Sequence, residues 1–216
     1  MVRILYGGTF DPVHDGHLAV ADAAAALFDT DVALLPSADP PHRAPPGASA
    51  MQRAAMLDLA IAGHPRLQVD RRELHRAGPS YSVDTVREVR AEIGPAAPLA
   101  WLLGADAFRG LATWHRWREL FDLAHLIVAV RPGYALDALE PALQTEVAPR
   151  WTNDLGMLGR AASGLLLRLD LQPRLEAASN LRGRIAAGSP WESELPPAVA
   201  DYIRVQGLYP PVARTD

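Results

Sequence analysis

The sequence predicts an α/β fold with a doubly wound, mostly parallel sheet and helices on both faces, formed as a single domain over residues 1–216. Three observations predict it. Short apolar runs alternate with longer amphipathic segments, the pattern of strands buried on both faces and joined by crossover helices. A glycine pair stands where the first apolar run turns into the first helical segment. No stretch has the length and composition of a linker between two domains, and 216 residues suffice for a sizeable core.

Taken in order, strands are expected at residues 2–6, 32–35, 67–69, 99–103, 126–130 and 165–169 from apolar content and length. Helices fall between them, at 18–28, 50–62, 83–93, 116–123, 180–187 and 198–205. Residues 36–48 form a proline-rich loop carrying Asp39-Pro40-Pro41-His42-Arg43, too stiff and polar for a core position, which is expected to rim a site. Residues 132–164 carry the weakest signal, with only a weak helix around 139–146.

Composition excludes several classes. The formal charge of −4 gives no footprint for nucleic acid, so small molecules are the expected partners. The chain has no cysteine, which rules out disulfides, thiolate nucleophiles and thiolate metal sites. No apolar leader opens the sequence and no run is long enough to span a bilayer, so a cytoplasmic location without membrane contact is expected. All 21 basic residues are arginine, which fits a codon bias across alanine- and arginine-rich stretches better than a functional choice.

The chemistry is concentrated in Gly7-Gly8-Thr9-Phe10-Asp11-Pro12-Val13-His14-Asp15-Gly16-His17, between the first strand and the first helix. Two glycines let main-chain N–H groups approach a polyphosphate, and the following helix start favours negative charge. His14 and His17 are three residues apart at that start, so both rings can project to one side and donate to phosphoryl oxygens. Capping and packing are the better account of an isolated pair of histidines, but not of the whole run.

Further along, Gly78-Pro79-Ser80-Tyr81-Ser82-Val83-Asp84-Thr85 precedes a helix, where capping alone accounts for its hydroxyl and acid groups. Leu103-Gly104-Ala105-Asp106 ends a strand, the edge at which open α/β sheets bind ligands. Trp114-His115-Arg116-Trp117 offers an aromatic platform for a planar ring, with core packing as the competing reading for Trp117 above all. Val130-Arg131-Pro132-Gly133 closes another strand with a fixed cation.

The opening run resembles the HxGH signature of the nucleotidylyltransferase superfamily. The order and spacing of that run, Pro40-Pro41-His42-Arg43, the Ser80–Thr85 segment, Gly104-Ala105-Asp106, Trp114, Arg131-Pro132-Gly133 and the tail from Leu195 to Tyr209 resemble bacterial nicotinate-nucleotide adenylyltransferases over almost the whole chain. The resemblance implies a Rossmann-like nucleotidylyltransferase fold. It also implies transfer of AMP from ATP to nicotinate mononucleotide, with magnesium held through the ATP phosphates and no protein metal site. On that resemblance His14, His17 and Arg182 are catalytic. Gly7, Gly8, Thr9, Phe10, Gly104, Asp106, Arg131 and Ser179 join them in holding ATP. Arg43, Tyr81, Ser82, Thr85, Trp114 and His115 hold the mononucleotide.

One element departs from the family's Ser-x-Thr-x-x-Arg-like second signature, reading Ala177-Ala178-Ser179-Asn180-Leu181-Arg182, which predicts weaker ATP binding at most. The absence of lysine excludes class I aminoacyl-tRNA synthetases, which need a lysine-centred loop beside a similar histidine motif. Adenylyltransferases for nicotinamide mononucleotide or phosphopantetheine, cytidylyltransferases, and a non-catalytic nucleotide-binding protein are the alternatives. A homo-oligomer is compatible with all of them.

Overall fold

A computed structural model describes residues 1–38, 47–130, 136, 139–171 and 177–210. The strands are β1 (Arg3–Gly8), β2 (Val32–Pro36), β3 (Leu67–Val69), β4 (Leu99–Gly104), β5 (His125–Val130) and β6 (Leu166–Asp170). The helices are α1 (Asp15–Phe28), α2 (Ala50–Ala60), α3 (Ser82–Ile93), α4 (Ala105–Arg109), α5 (Leu120–Leu123), α6 (Pro141–Val147), α7 (Leu155–Arg160), α8 (Ala178–Ala186) and α9 (Pro197–Gln206).

The six strands form one sheet in the order β3-β2-β1-β4-β5-β6, parallel throughout. The chain winds outward from β1 to β3 and then crosses back to β4, so the order reverses between β1 and β4. A crevice opens at such a reversal, above the carboxyl ends of the two strands, because the connections leave in opposite directions.

Strand side chains alternate between two cores, as the period of two requires. Ile4, Tyr6, Leu34, Ala100, Leu102, Ile127 and Leu167 meet apolar residues of α1, α2, α8 and α9 on one face. Leu5, Leu35, Trp101, Leu103, Leu126 and Val128 meet α3, α5 and α6 on the other. Burial on both faces explains why the central strands β4 and β5 read as continuous apolar runs, while the edge strands β3 and β6 carry the exposed Gln68 and Arg168. On α1 the buried face carries Leu18, Ala21, Ala24 and Ala25, and the small residues let the helix sit close to β1 and β2.

Two helix expectations change. The segment expected at 116–123 is broken, because Arg116 takes φ 51° in the left-handed region and only a short 3₁₀ turn, Trp117–Glu119, precedes α5. Gly104 is followed at once by α4, where the sequence suggested only a strand end. Residues 132–164, nearly silent in sequence, contain α6 and α7.

Candidate active site

A cleft of about 830 Å³ opens at the switch point. Its floor includes Gly7, Gly8, Thr9, Ser37, Trp101, Gly104 and Asp106. One wall is built from His14 and His17 with Ala177, Ser179, Asn180 and Arg182 at the start of α8. The other is built from Glu73, Ser80, Tyr81, Ser82, Trp114 and His115. The cleft thus gathers residues more than 170 positions apart in sequence, from Gly7 to Arg182.

On the first wall the histidines are fixed by packing. His14 is the N-cap residue of α1 and is buried, and its ring stacks on His17 at 3.7 Å between centroids. The edge of Phe10 meets His17 at 5.0 Å, so His17 is held between two rings. The His14 N–H donates to His17 Nδ1 at 3.3 Å. With Nδ1 accepting, the neutral ring carries its proton on Nε2 and presents that atom as a donor.

The two glycines are required by neighbouring rings as well as by any ligand. A Cβ at Gly7 would stand 2.1 Å from Trp101 Cζ2, and one at Gly8 2.9 Å from the Phe10 ring. Phe10 itself has φ 50°, which turns the chain sharply enough to lay that ring back over Gly8.

Two buried residues that sequence reasoning did not assign to the site shape this loop. The Asp11 carboxylate accepts from Gly47 N–H at 2.8 Å, Ala48 N–H at 3.1 Å and Tyr209 O–H at 2.8 Å. Burial, and then the charge of Asp11, hold the Tyr209 phenol well above its usual range, so it stays a donor. Arg53, fully buried on α2, donates to Thr9 O and Ser37 O at 2.6 Å each, and to Ala38 O and Ala48 O. The visible signal was an arginine on the apolar face of a helix. Arg182 reaches the same loop, donating to Asp11 O at 2.6 Å.

The start of α8 faces the cleft with Ala177 as its N-cap residue, and no side chain among the described residues caps it. Helix-start N–H groups suit an anion, and Arg182 stands one turn further in.

The second wall is aromatic and more open. Tyr81 and His115 pair at 4.3 Å between centroids, and Trp114 is half-buried beside them. Trp117 is buried in the core, which decides for the packing reading at that position. Of the described residues expected at the mononucleotide, only Thr85 does not line the cleft. Its side chain is fully buried, and its hydroxyl donates to Glu73 Oε1 at 2.7 Å while accepting from Arg76 at 3.0 Å. In this position Thr85 braces Glu73, which does line the cleft. Burial raises the Glu73 carboxyl above its ordinary range, against the Thr85 hydrogen bond and the Arg76 charge. Arg76 also donates to Ser80 Oγ at 2.5 Å, tying the loop before α3 into the same network.

Arg43 and Arg131 lie outside the described residues, as do Pro40, Pro41, His42, Pro132 and Gly133. Among the described residues no three histidine, cysteine or carboxylate side chains converge as a metal cluster. The donors on the first wall suit phosphate oxygens rather than a metal ion held directly by side chains.

Comparison with known proteins bears on this geometry. Residues 5–174 match the cytidylyltransferase-like family model. The chain is 53% identical to a probable nicotinate-nucleotide adenylyltransferase of Stenotrophomonas maltophilia (strain K279a), covering 96% of each chain. It is 50% identical to one from Xylella fastidiosa (strain M12), again over 96% of each. The structure of Plasmodium falciparum nicotinic acid mononucleotide adenylyltransferase complexed with NaAD superposes with a TM-score of 0.73 at 16% identity, over 96% of this chain and 97% of that one, and so shows the shared fold. With that fold, that cleft and relatives of about half-identical sequence along nearly its whole length, the chain belongs to the nicotinate-nucleotide adenylyltransferase family of cytidylyltransferase-like proteins.

Proposed function

We propose that this protein transfers the AMP moiety of ATP to nicotinate mononucleotide, forming nicotinate adenine dinucleotide and pyrophosphate, as one domain spanning residues 1–216 and acting in the cytoplasm. Among the described residues no helix is long and apolar enough to cross a membrane. The observation that carries the reading is the two-walled cleft, with phosphate donors facing an aromatic platform across the switch point.

In the reaction a phosphate oxygen of the mononucleotide attacks the α-phosphorus of ATP. The new P–O bond forms as the bond to the bridging oxygen breaks, and pyrophosphate leaves with the electron pair. The attacking phosphate is already ionised at neutral pH, so no general base and no covalent intermediate are needed. Catalysis then consists of alignment and of stabilising the charge that grows on the departing oxygens.

His17 Nε2 is the donor best placed for that charge, because Phe10 and His14 hold its ring before substrate arrives. His14, Arg182 and the α8 start share the triphosphate with Gly7, Gly8, Thr9 and Phe10, while Gly104, Asp106 and Ser179 complete the ATP side and Arg131 adds a further cation. Magnesium carried on the ATP phosphates supplies charge neutralisation when bound. Trp114, with Tyr81, Ser82 and His115, receives the pyridine ring, and Arg43 reaches its phosphate. Thr85 contributes through Glu73 and the helix start it braces. Ser179 and Arg182 keep a hydroxyl and a cation where the family's second signature is otherwise reduced by Ala177, so the loss falls on ATP affinity rather than on turnover.

Pyrophosphate release with ATP and magnesium, run in parallel with nicotinate mononucleotide, nicotinamide mononucleotide and phosphopantetheine, tests the reading. Turnover with the pyridine mononucleotides, fastest with nicotinate, is expected. Turnover with phosphopantetheine alone, or ATP binding without pyrophosphate release for any acceptor, would overturn it.

A further inference from the structure

Tyr209, just past α9, has φ 58°, in the left-handed region that a residue with a Cβ seldom takes. Such a backbone persists only where its surroundings over-determine it, and positions of this kind gather around functional sites. Here the turn swings the ring inward. Tyr209 is buried, and its ring fills the space that a Cβ at Gly47 would need, 2.7 Å away. Its hydroxyl donates to Asp11 Oδ1 at 2.8 Å, in the turn between β1 and α1 and 198 positions earlier in the chain. Tyr209 itself does not line the cleft.

The turn that Tyr209 reaches is clamped on both sides of Phe10. Arg53 donates to Thr9 O and Arg182 to Asp11 O, each at 2.6 Å. The Asp11 carboxylate is further tied to Gly47 N–H through Oδ2 and to Ala48 N–H through Oδ1. Phe10 sits between these clamps, and its ring edge meets His17 at 5.0 Å. A continuous set of contacts thus runs from Tyr209 through Asp11 and Phe10 to the ring of His17. Without the phenol O–H, Oδ1 would keep one of its two donors. The carboxylate would then be drawn toward Arg182, which stands 3.7 Å from Oδ2, and Phe10 would follow its neighbour.

We infer that Tyr209 is a positioning residue for the transfer step: through Asp11 it sets the place of Phe10, and through Phe10 the aim of the His17 ring. Its effect falls on kcat, because a donor that meets charge growing in the transition state must be aligned before the bond breaks. A displacement of about 1 Å at such a donor is enough to cost up to about a hundred-fold in rate. This assignment rests on the proposed adenylyl transfer, and its test is separable from that proposal.

Tyr209→Phe removes the hydroxyl and keeps the ring against Gly47. Ile203→Val, on the buried face of α9, is the control for a loss of stability alone. Both should lower Tm by a similar few degrees. Only Tyr209→Phe should lower kcat, by about ten-fold, the weight of one hydrogen bond to a charged group, with KM for ATP and for nicotinate mononucleotide changed less than about two-fold. Asp11→Asn combined with Tyr209→Phe should lower kcat by clearly less than the product of the two single losses, because both act along one path. In the ligand-free protein the carbon-bound ring proton resonances of His17, assigned against His17→Ala, should move in Tyr209→Phe and stay in place in Ile203→Val. An unchanged kcat in Tyr209→Phe, a multiplicative loss in the double variant, or a His17 resonance unmoved by Tyr209→Phe would overturn the assignment. If the unaltered protein transfers AMP to no acceptor, the functional reading fails by itself. The histidine resonances then still decide whether Tyr209 sets His17.

Discussion

The histidine wall and the aromatic wall of the cleft are built on different physical terms. On the first, His14, Phe10, Asp11 and Arg53 are all buried, and the donors are locked by ring stacking and by hydrogen bonds to backbone. On the second, Trp114 is half-buried and His115 exposed, and the rigid part lies behind them in the Glu73, Arg76, Ser80 and Thr85 network. Groups that must meet a transition state gain from being fixed in advance, because reorganising them costs rate. Groups that admit a planar ring gain from an open face with a firm support. Under the proposed function, this contrast matches chemistry on one wall and recognition on the other.

The contrast is broken most sharply at His17. His17→Ala removes one preorganised donor and should lower kcat by about 10²–10³, with only a modest loss of Tm from the lost ring contacts and the unpaired His14 N–H. Steady-state kinetics beside a thermal melt checks this, and near-normal kcat in a folded variant would move the phosphate chemistry elsewhere.

A smaller effect, on stability, is expected at Asp11. Asp11→Asn keeps the shape but turns an acceptor pair into one acceptor and one donor, against three donors from Gly47, Ala48 and Tyr209. One buried N–H or O–H is left unpaired, at a cost of about 1–3 kcal/mol. Chemical denaturation should report that loss, with Tyr209→Phe giving a lesser one; no loss in either would remove the C-terminal segment from the support of the loop.

The smallest effect sharpens the other wall. Glu73 has its pKa raised by burial, so above its ordinary pKa the folded state holds a proton that the unfolded state has released. Stability from this group is full below the ordinary value and is lost as pH rises toward the raised one. Glu73→Gln removes the titration. The stability of the variant relative to the unaltered protein should therefore improve as pH is raised from 4.5 through the raised value. A flat difference across that range would mean that Glu73 ionises normally.

Much of this was legible in the sequence because it was local. The central strands β2, β1, β4 and β5 are buried on both faces and read as apolar runs, while the edge strands β3 and β6 carry the exposed Gln68 and Arg168; all six were placed within a residue or two. His14 and His17 declared themselves because strand, glycine turn and helix start are contiguous. What could not be read depends on contacts far apart in the chain. Asp11 meets Tyr209 across 198 positions, and Arg53 reaches Thr9 across 44. The tie of the Thr85 hydroxyl to Glu73, 12 positions earlier, was likewise invisible in the sequence. The broken helix at Arg116 turns on a single backbone angle that no propensity marks. The glycines were expected for the right positions but an incomplete reason, since the rings that demand them come from Trp101 and Phe10.

The most direct test of the division between walls is equilibrium binding of ATP and of nicotinate mononucleotide, each titrated separately into Trp114→Ala and Arg182→Ala. Crossed losses are expected: Trp114→Ala should weaken the mononucleotide about ten-fold and spare ATP, and Arg182→Ala should do the reverse. Equal losses of both ligands in either variant would contradict the account, and would make that residue a support of the whole cleft rather than part of one wall.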